Sequence, residues 1–215
     1  MKKYLPVIFN KRLFLLLSVG FIIATVVGTV SHEYGHYFVA KYCFHRYARV
    51  AYAYTDWDDS FKFTSLEVAK RMNFYCHTGG PLETMLTGTL GLLLLFIYRK
   101  KYQQTERLSF AQWIPIFLSL FWLRQFFNLI DAFVIIIIKG HIKGIGDEFQ
   151  LARYLGWSVW SIATVTGIMG AIVLALVIFG FVPVRQRFTF MMAGLAGGLL
   201  GAYLWLVLLG PVIMP

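Results

Sequence analysis

Charge is scarce in this chain, and acid scarcer still. Of 215 residues only 14% are charged, with 20 lysines and arginines against 10 aspartates and glutamates. A soluble domain carries about a quarter of its residues as charges, so a chain that is 59% hydrophobic, with a mean hydropathy of +0.67, falls outside that class. Cysteine is nearly absent. Cys43 and Cys76 are the only two; they form no C-x-x-C pair, and two unpaired structural thiols are expected rather than a bridge. Redox compartment is left open. No internal repeat stands out, which weakens a transporter reading. No polar stretch is long enough to make a separate soluble domain.

What the chain has is apolar runs near the ~20 residues a bilayer requires. About five spans are expected: 13–42, from Pro81 to just before Arg99, from after Ser109 to 138, 157–181 and 188–209. The fold class expected is therefore an all-α polytopic membrane protein with a multi-pass, cell-membrane location. Pro81 suits the first turn of a helix, and Ser109 with Gln112 resembles a capping box. Lys2, Lys3, Lys11 and Arg12 precede the first run, which leads straight into the motif described below. Cleavage there as a signal peptide would destroy that motif, so an uncleaved span is expected.

The basic excess of +10 flanks the apolar runs, the place of interface anchors, so lipid and not nucleic acid is the expected partner. Ten basic residues fall on one side of a five-span arrangement and nine on the other. The positive-inside rule does not separate the two orientations. Between the first two spans, 49–54 is β-prone, 56–60 reads as a turn and 61–64 alternates again, so a short β-hairpin-like insertion is expected, followed by a helix over 66–74. Gly194 with Gly198, Gly197 with Gly201, and the stripe of Ala163, Gly167 and Ala171 read as helix-packing faces.

One stretch carries chemistry. Ser31-His32-Glu33-Tyr34-Gly35-His36 ends the first apolar run and contains H-E-x-x-H. Two histidines four residues apart share one helix face and can reach one metal ion. Zinc takes such nitrogen ligands and, in catalytic sites, keeps one position for water. Glu33 lies where it can take a proton from that water. A chance match in a chain of this composition is roughly a 0.3% event. His32 lies about 28 Å along the helix from Leu13, near the far side of the hydrocarbon core. Ionisable groups at that depth mark working sites.

Together these features resemble the site-2 protease family of intramembrane zinc metalloproteases. The resemblance rests on His32-Glu33-Tyr34-Gly35-His36 late in a first span, and on Gly79-Gly80-Pro81-Leu82, which looks like the family's A-G-P-x-x-N element. A third, weaker point is an acidic residue after the third span, in Gly146-Asp147-Glu148-Phe149-Gln150-Leu151. The chain departs from the family in having Thr84 where Asn is usual, and in lacking an intact N-x-x-P-x-x-x-x-D-G after Asn128. The resemblance covers roughly 13–156, a metalloprotease-like core within a single membrane-embedded domain (1–215), with 157–215 supplying two additional packing helices.

The resemblance implies zinc held by His32, His36 and Asp147, Glu33 as general base, and hydrolysis of a peptide bond in a substrate's transmembrane segment. It also implies an N-terminus outside the cell, against which the basic N-terminus argues. Asp147 has a competing reading as a helix cap, with Gly144 and Gly146 letting the chain fold back to the metal. Asp131 competes as third ligand on depth, though Arg124 on the same face suits it as an ion-pair partner. Asn128 is expected to bond a neighbouring helix, and Glu83 to be a helix N-terminal charge or a partner of a ligating histidine. His45, His77 and His141 lack ligand spacing and are expected in loops or at the interface. Hydrolysis also suggests that the 49–63 segment binds an extended substrate by edge pairing. The competing function is a non-hydrolytic metal-binding regulator or scaffold, which needs the histidines and not Glu33. Substrate identity and oligomeric state are not legible.

Overall fold

The computed structural model describes residues 5–58, 65–140 and 146–215. Helix α1, Lys11–Phe38, begins where the Asn10 side chain accepts a hydrogen bond from the Leu13 N–H at 3.0 Å, satisfying one of the donors a helix start leaves orphaned. A π-helical turn, Val39–Cys43, extends it. Strands β1 (Ala48–Val50) and β2 (Thr55–Trp57) form an antiparallel pair in which Arg49 faces Asp56. Helix α2 covers Leu66–Ile97 and the short α3 covers Arg99–Gln103. Helix α4, Phe110–Ser119, carries the expected capping box of Ser109 and Gln112. A 3-10 turn, Leu120–Trp122, joins α4 to α5, Leu123–Lys139. The chain continues through α6 (Asp147–Tyr154), α7 (Ser161–Leu176), α8 (Val184–Tyr203) and α9 (Gly210–Ile213).

Among the described residues, five stretches are long and apolar enough to cross a bilayer: Lys11–Cys43, Leu66–Ile97, Phe110–Lys139, Ser161–Phe181 and Val184–Ile213. The protein is an all-α polytopic membrane protein with one small hairpin. Helix α1 lies between α2 and α8, while α2 also meets α4 and α6, and α5 packs on α7. Leu17 and Phe21 of α1, Trp113 and Ile116 of α4 and Phe190 of α8 share the main apolar cluster. Trp113 and Phe190 stack at 5.6 Å.

Two sequence expectations are corrected. Pro81 does not open the second span; α2 starts one residue after Ser65, which caps the Val68 N–H, and runs through Pro81 unbroken. The cause is burial on one side of the segment ahead of the proline, at Ala69, Met72, Cys76 and Gly79. That helical spacing joins the expected 66–74 helix to the span. A proline inside a membrane helix is tolerated where neighbours compensate the freed carbonyl. The hairpin turn falls at 51–54, not at 56–60, because Ala51 N–H bonds the Tyr54 carbonyl and sets the register. Asp56 and Trp57, read as part of the turn, lie in the second strand, Thr55–Trp57; the arm expected at 61–64 lies outside the described residues, as do His141 and Gly144.

The glycines bring the helices together. A β-carbon at Gly35 would collide with the Gly79 carbonyl, and one at Gly79 with the Gly35 carbonyl, so the two backbones touch there. Gly197 and Gly201 sit against Ser18 and Ile22 of α1, and Gly167 against Leu129 of α5. Gly198 faces open space, so of the two G-x-x-x-G pairs only Gly197 with Gly201 packs as a pair.

Candidate metal centre

The last turns of α1 present His32, Glu33 and His36 to the interior, where each is buried. Crossing at Gly35 and Gly79 sets α2 directly behind the histidines. A β-carbon at Gly80 would strike the Nε2 atoms of both His32 and His36, so only glycine leaves room for the two rings there. His36 Nδ1 lies 2.6 Å from the Cys76 carbonyl oxygen. A carbonyl only accepts, so Nδ1 carries the proton and the Nε2 lone pair faces the cluster. Gly80 N–H also points at Nδ1, but at 3.4 Å; the shorter contact decides the tautomer.

Asp147, the first residue of α6, completes the group. Its Oδ2 lies 3.1 Å from His32 Nε2 and 3.2 Å from His36 Nε2, while the two nitrogens are 3.1 Å apart. Three ligand atoms on one point make a group that can hold a metal ion. Burial by itself would push the Asp147 carboxyl up, but the polar contacts of the His32, His36 and His77 cluster hold it well below the usual carboxylate range. The ligand is thus kept anionic.

Glu33 is held from two sides. The Thr55 hydroxyl on β2 lies 2.8 Å from the Glu33 carbonyl oxygen and 3.1 Å from Oε2. Arg124 approaches Oε1 at 3.5 Å. The Arg124–Asp131 pair expected from the sequence is therefore not formed: Arg124 turns inward, and Asp131 is exposed on α5, apart from the metal group. Both residues lie on α5 seven residues apart, but the Arg124 guanidinium extends to Glu33 of α1 instead of along its own helix.

His77, expected in a loop or at the interface and without ligand spacing, is on α2, and its Nδ1 lies 2.9 Å from Asp147 Oδ1. Its place one helical turn before Gly80 was the available signal. Thr55 had none, because the hairpin register alone brings it to Glu33. Asn128 bonds across helices as expected, donating to both Glu148 oxygens at 3.2 and 3.3 Å. Glu148 is 1% exposed, and burial, then the neighbouring Asp147 charge, raises its carboxyl above the usual range. Gln125 donates to the Thr84 hydroxyl at 2.9 Å. Glu83 lies well inside α2, not at its N-terminus, and accepts from Thr87. His45 is exposed, on the chain leading into β1.

No family model, curated protein or solved structure matches this chain. The functional reading rests on the site itself.

Proposed function

We propose that the protein is a zinc metalloendopeptidase of the site-2 kind, cutting peptide bonds in or near transmembrane segments of membrane-protein substrates, with the cell membrane as its location. One observation carries the reading. Ligands about 2.0 Å from a tetrahedral zinc stand about 3.3 Å from one another, and the three donor atoms here are separated by 3.1, 3.1 and 3.2 Å. His32, His36 and Asp147 thus form one face of a tetrahedron of zinc size, and among the described residues no fourth His, Cys, Asp or Glu joins the group. When bound, zinc would supply Lewis acidity toward water and the scissile carbonyl.

The chain's own residues supply the rest. Glu33, oriented by Thr55, takes a proton from the attacking water. The water oxygen bonds to the carbonyl carbon, the C–N bond breaks, and the proton passes from Glu33 to the leaving nitrogen. His77 holds Asp147 and so the geometry of the ligand set.

Substrate binding by strand pairing moves to β2. Ala51 N–H bonds the Tyr54 carbonyl and Asp58 N–H the Tyr47 carbonyl, so by antiparallel alternation the backbone groups of Thr55 and Trp57 point away from β1. Beside that edge lies a cleft of about 360 Å³, also lined by Asn73, His77, Gln150 and Tyr154. An extended peptide there would pass Glu33 and the Asp147–His77 pair.

The deciding experiment compares wild type and Glu33→Gln, purified and assayed on a tagged transmembrane substrate with metal analysis alongside. Cleavage by the wild type alone, with equal metal in both, is the expected result. Equal behaviour of the two would replace the enzyme with a metal-binding scaffold.

A further inference from the structure

We propose that Arg124 is a catalytic residue whose guanidinium hydrogen-bonds the carbonyl oxygen of the peptide bond being cut. The inference rests on the protease reading. A guanidinium has five N–H donors, and among the described residues Arg124 directs one contact to a partner, Glu33 Oε1 at 3.5 Å. Its Nε is shielded from solvent and has no hydrogen-bond partner among the described residues. A structural arginine–carboxylate pair is shorter, about 2.7–2.9 Å, and commonly bidentate. Glu33 has a second support besides Arg124, the Thr55 hydroxyl, which its carbonyl and Oε2 share.

A cation inside a membrane span is costly unless it is satisfied or has work to do. Here it stands in Phe110–Lys139, 27% exposed along its side chain and with most donors unspent. Its charge acts on His32, Glu33 and Glu148, a metal ligand, the general base and the carboxylate beside the third ligand. Its backbone is held, too: the next residue, Gln125, is 1% exposed and anchors α5 to α2 through Thr84. The unspent donors are thus presented by a fixed helix beside the reacting groups. As water adds to the carbonyl carbon, the oxygen gains negative charge, and Arg124 stabilises it without gaining or losing a proton.

The test uses full-length wild type, Arg124→Gln and Arg124→Lys, measured for metal content, kcat, KM and affinity for two inhibitors of one peptide sequence. One inhibitor carries a tetrahedral phosphinate, the other a hydroxamate. Expected for Arg124→Gln are unchanged metal and hydroxamate affinity, phosphinate affinity lowered at least about tenfold, and kcat lowered about 10²–10³-fold. Arg124→Lys should recover part of both losses. Phosphinate affinity that stays at the wild-type value while kcat falls would overturn the inference, since Arg124 would then act only through Glu33. So would lost metal or unaltered kcat. A wild type that cuts nothing and binds neither inhibitor would instead defeat the protease reading, and the inference with it.

Discussion

A single imidazole, His77, governs how Asp147 meets the two histidines of α1, since it binds the carboxylate oxygen that faces away from them. Removing such a partner weakens metal affinity about 10–100-fold. His77→Ala should show that loss in competition with a chelator, and wild-type affinity would mean that Asp147 is oriented without it. Gly80→Ala tests the room behind the rings. The added methyl meets both Nε2 atoms, so metal should be lost while helix content by circular dichroism stays. Asp147 also sets a sign for pH. Its folded-state value lies below the ordinary one, so its stabilising contribution is full above about pH 4 and lost only as pH falls further. Acid melting of the metal-free protein should lose this component in Asp147→Asn.

At the scale of elements, the hairpin and α2 do the positioning. Because outward backbone groups alternate along β2, N-methylation at successive positions of a bound peptide should block cleavage at every second position only. A uniform effect, or none, would remove the strand-pairing model. Much of this scale was legible in residues: Ser109 with Gln112 marks a helix start, and the capping box forms. Pro81 misled, because a local helix-start preference yields to a buried face that continues across it. The hairpin register misled for a similar reason. Tyr52 N–H is taken by the Met214 carbonyl, and the Tyr52 carbonyl by Trp205 Nε1, contacts from the far end of the chain that propensity over 49–64 does not contain.

At the scale of the molecule, the two cysteines report on burial and orientation together. Both thiols are free; Cys43 is exposed and Cys76 buried. In sealed vesicles a membrane-impermeant maleimide should label Cys43 from one side only, and Cys76 only after denaturation. Labelling of Cys76 in the native protein would contradict the close packing of α1 on α2. The side that labels Cys43 also settles the orientation that ten basic residues against nine left open.

The residues of one chain segment determined the apolar spans, the helix caps and the pairing of His32 with His36 around Glu33, because helical period and hydrophobic length are local properties. Only the tertiary structure decided that Asp147 and not Asp131 joins them, that His77 steadies it, that Thr55 holds Glu33 and that Arg124 turns inward. Each of those contacts crosses between elements far apart in sequence, and its geometry comes from the glycine-to-glycine crossing of two helices and the register of a hairpin.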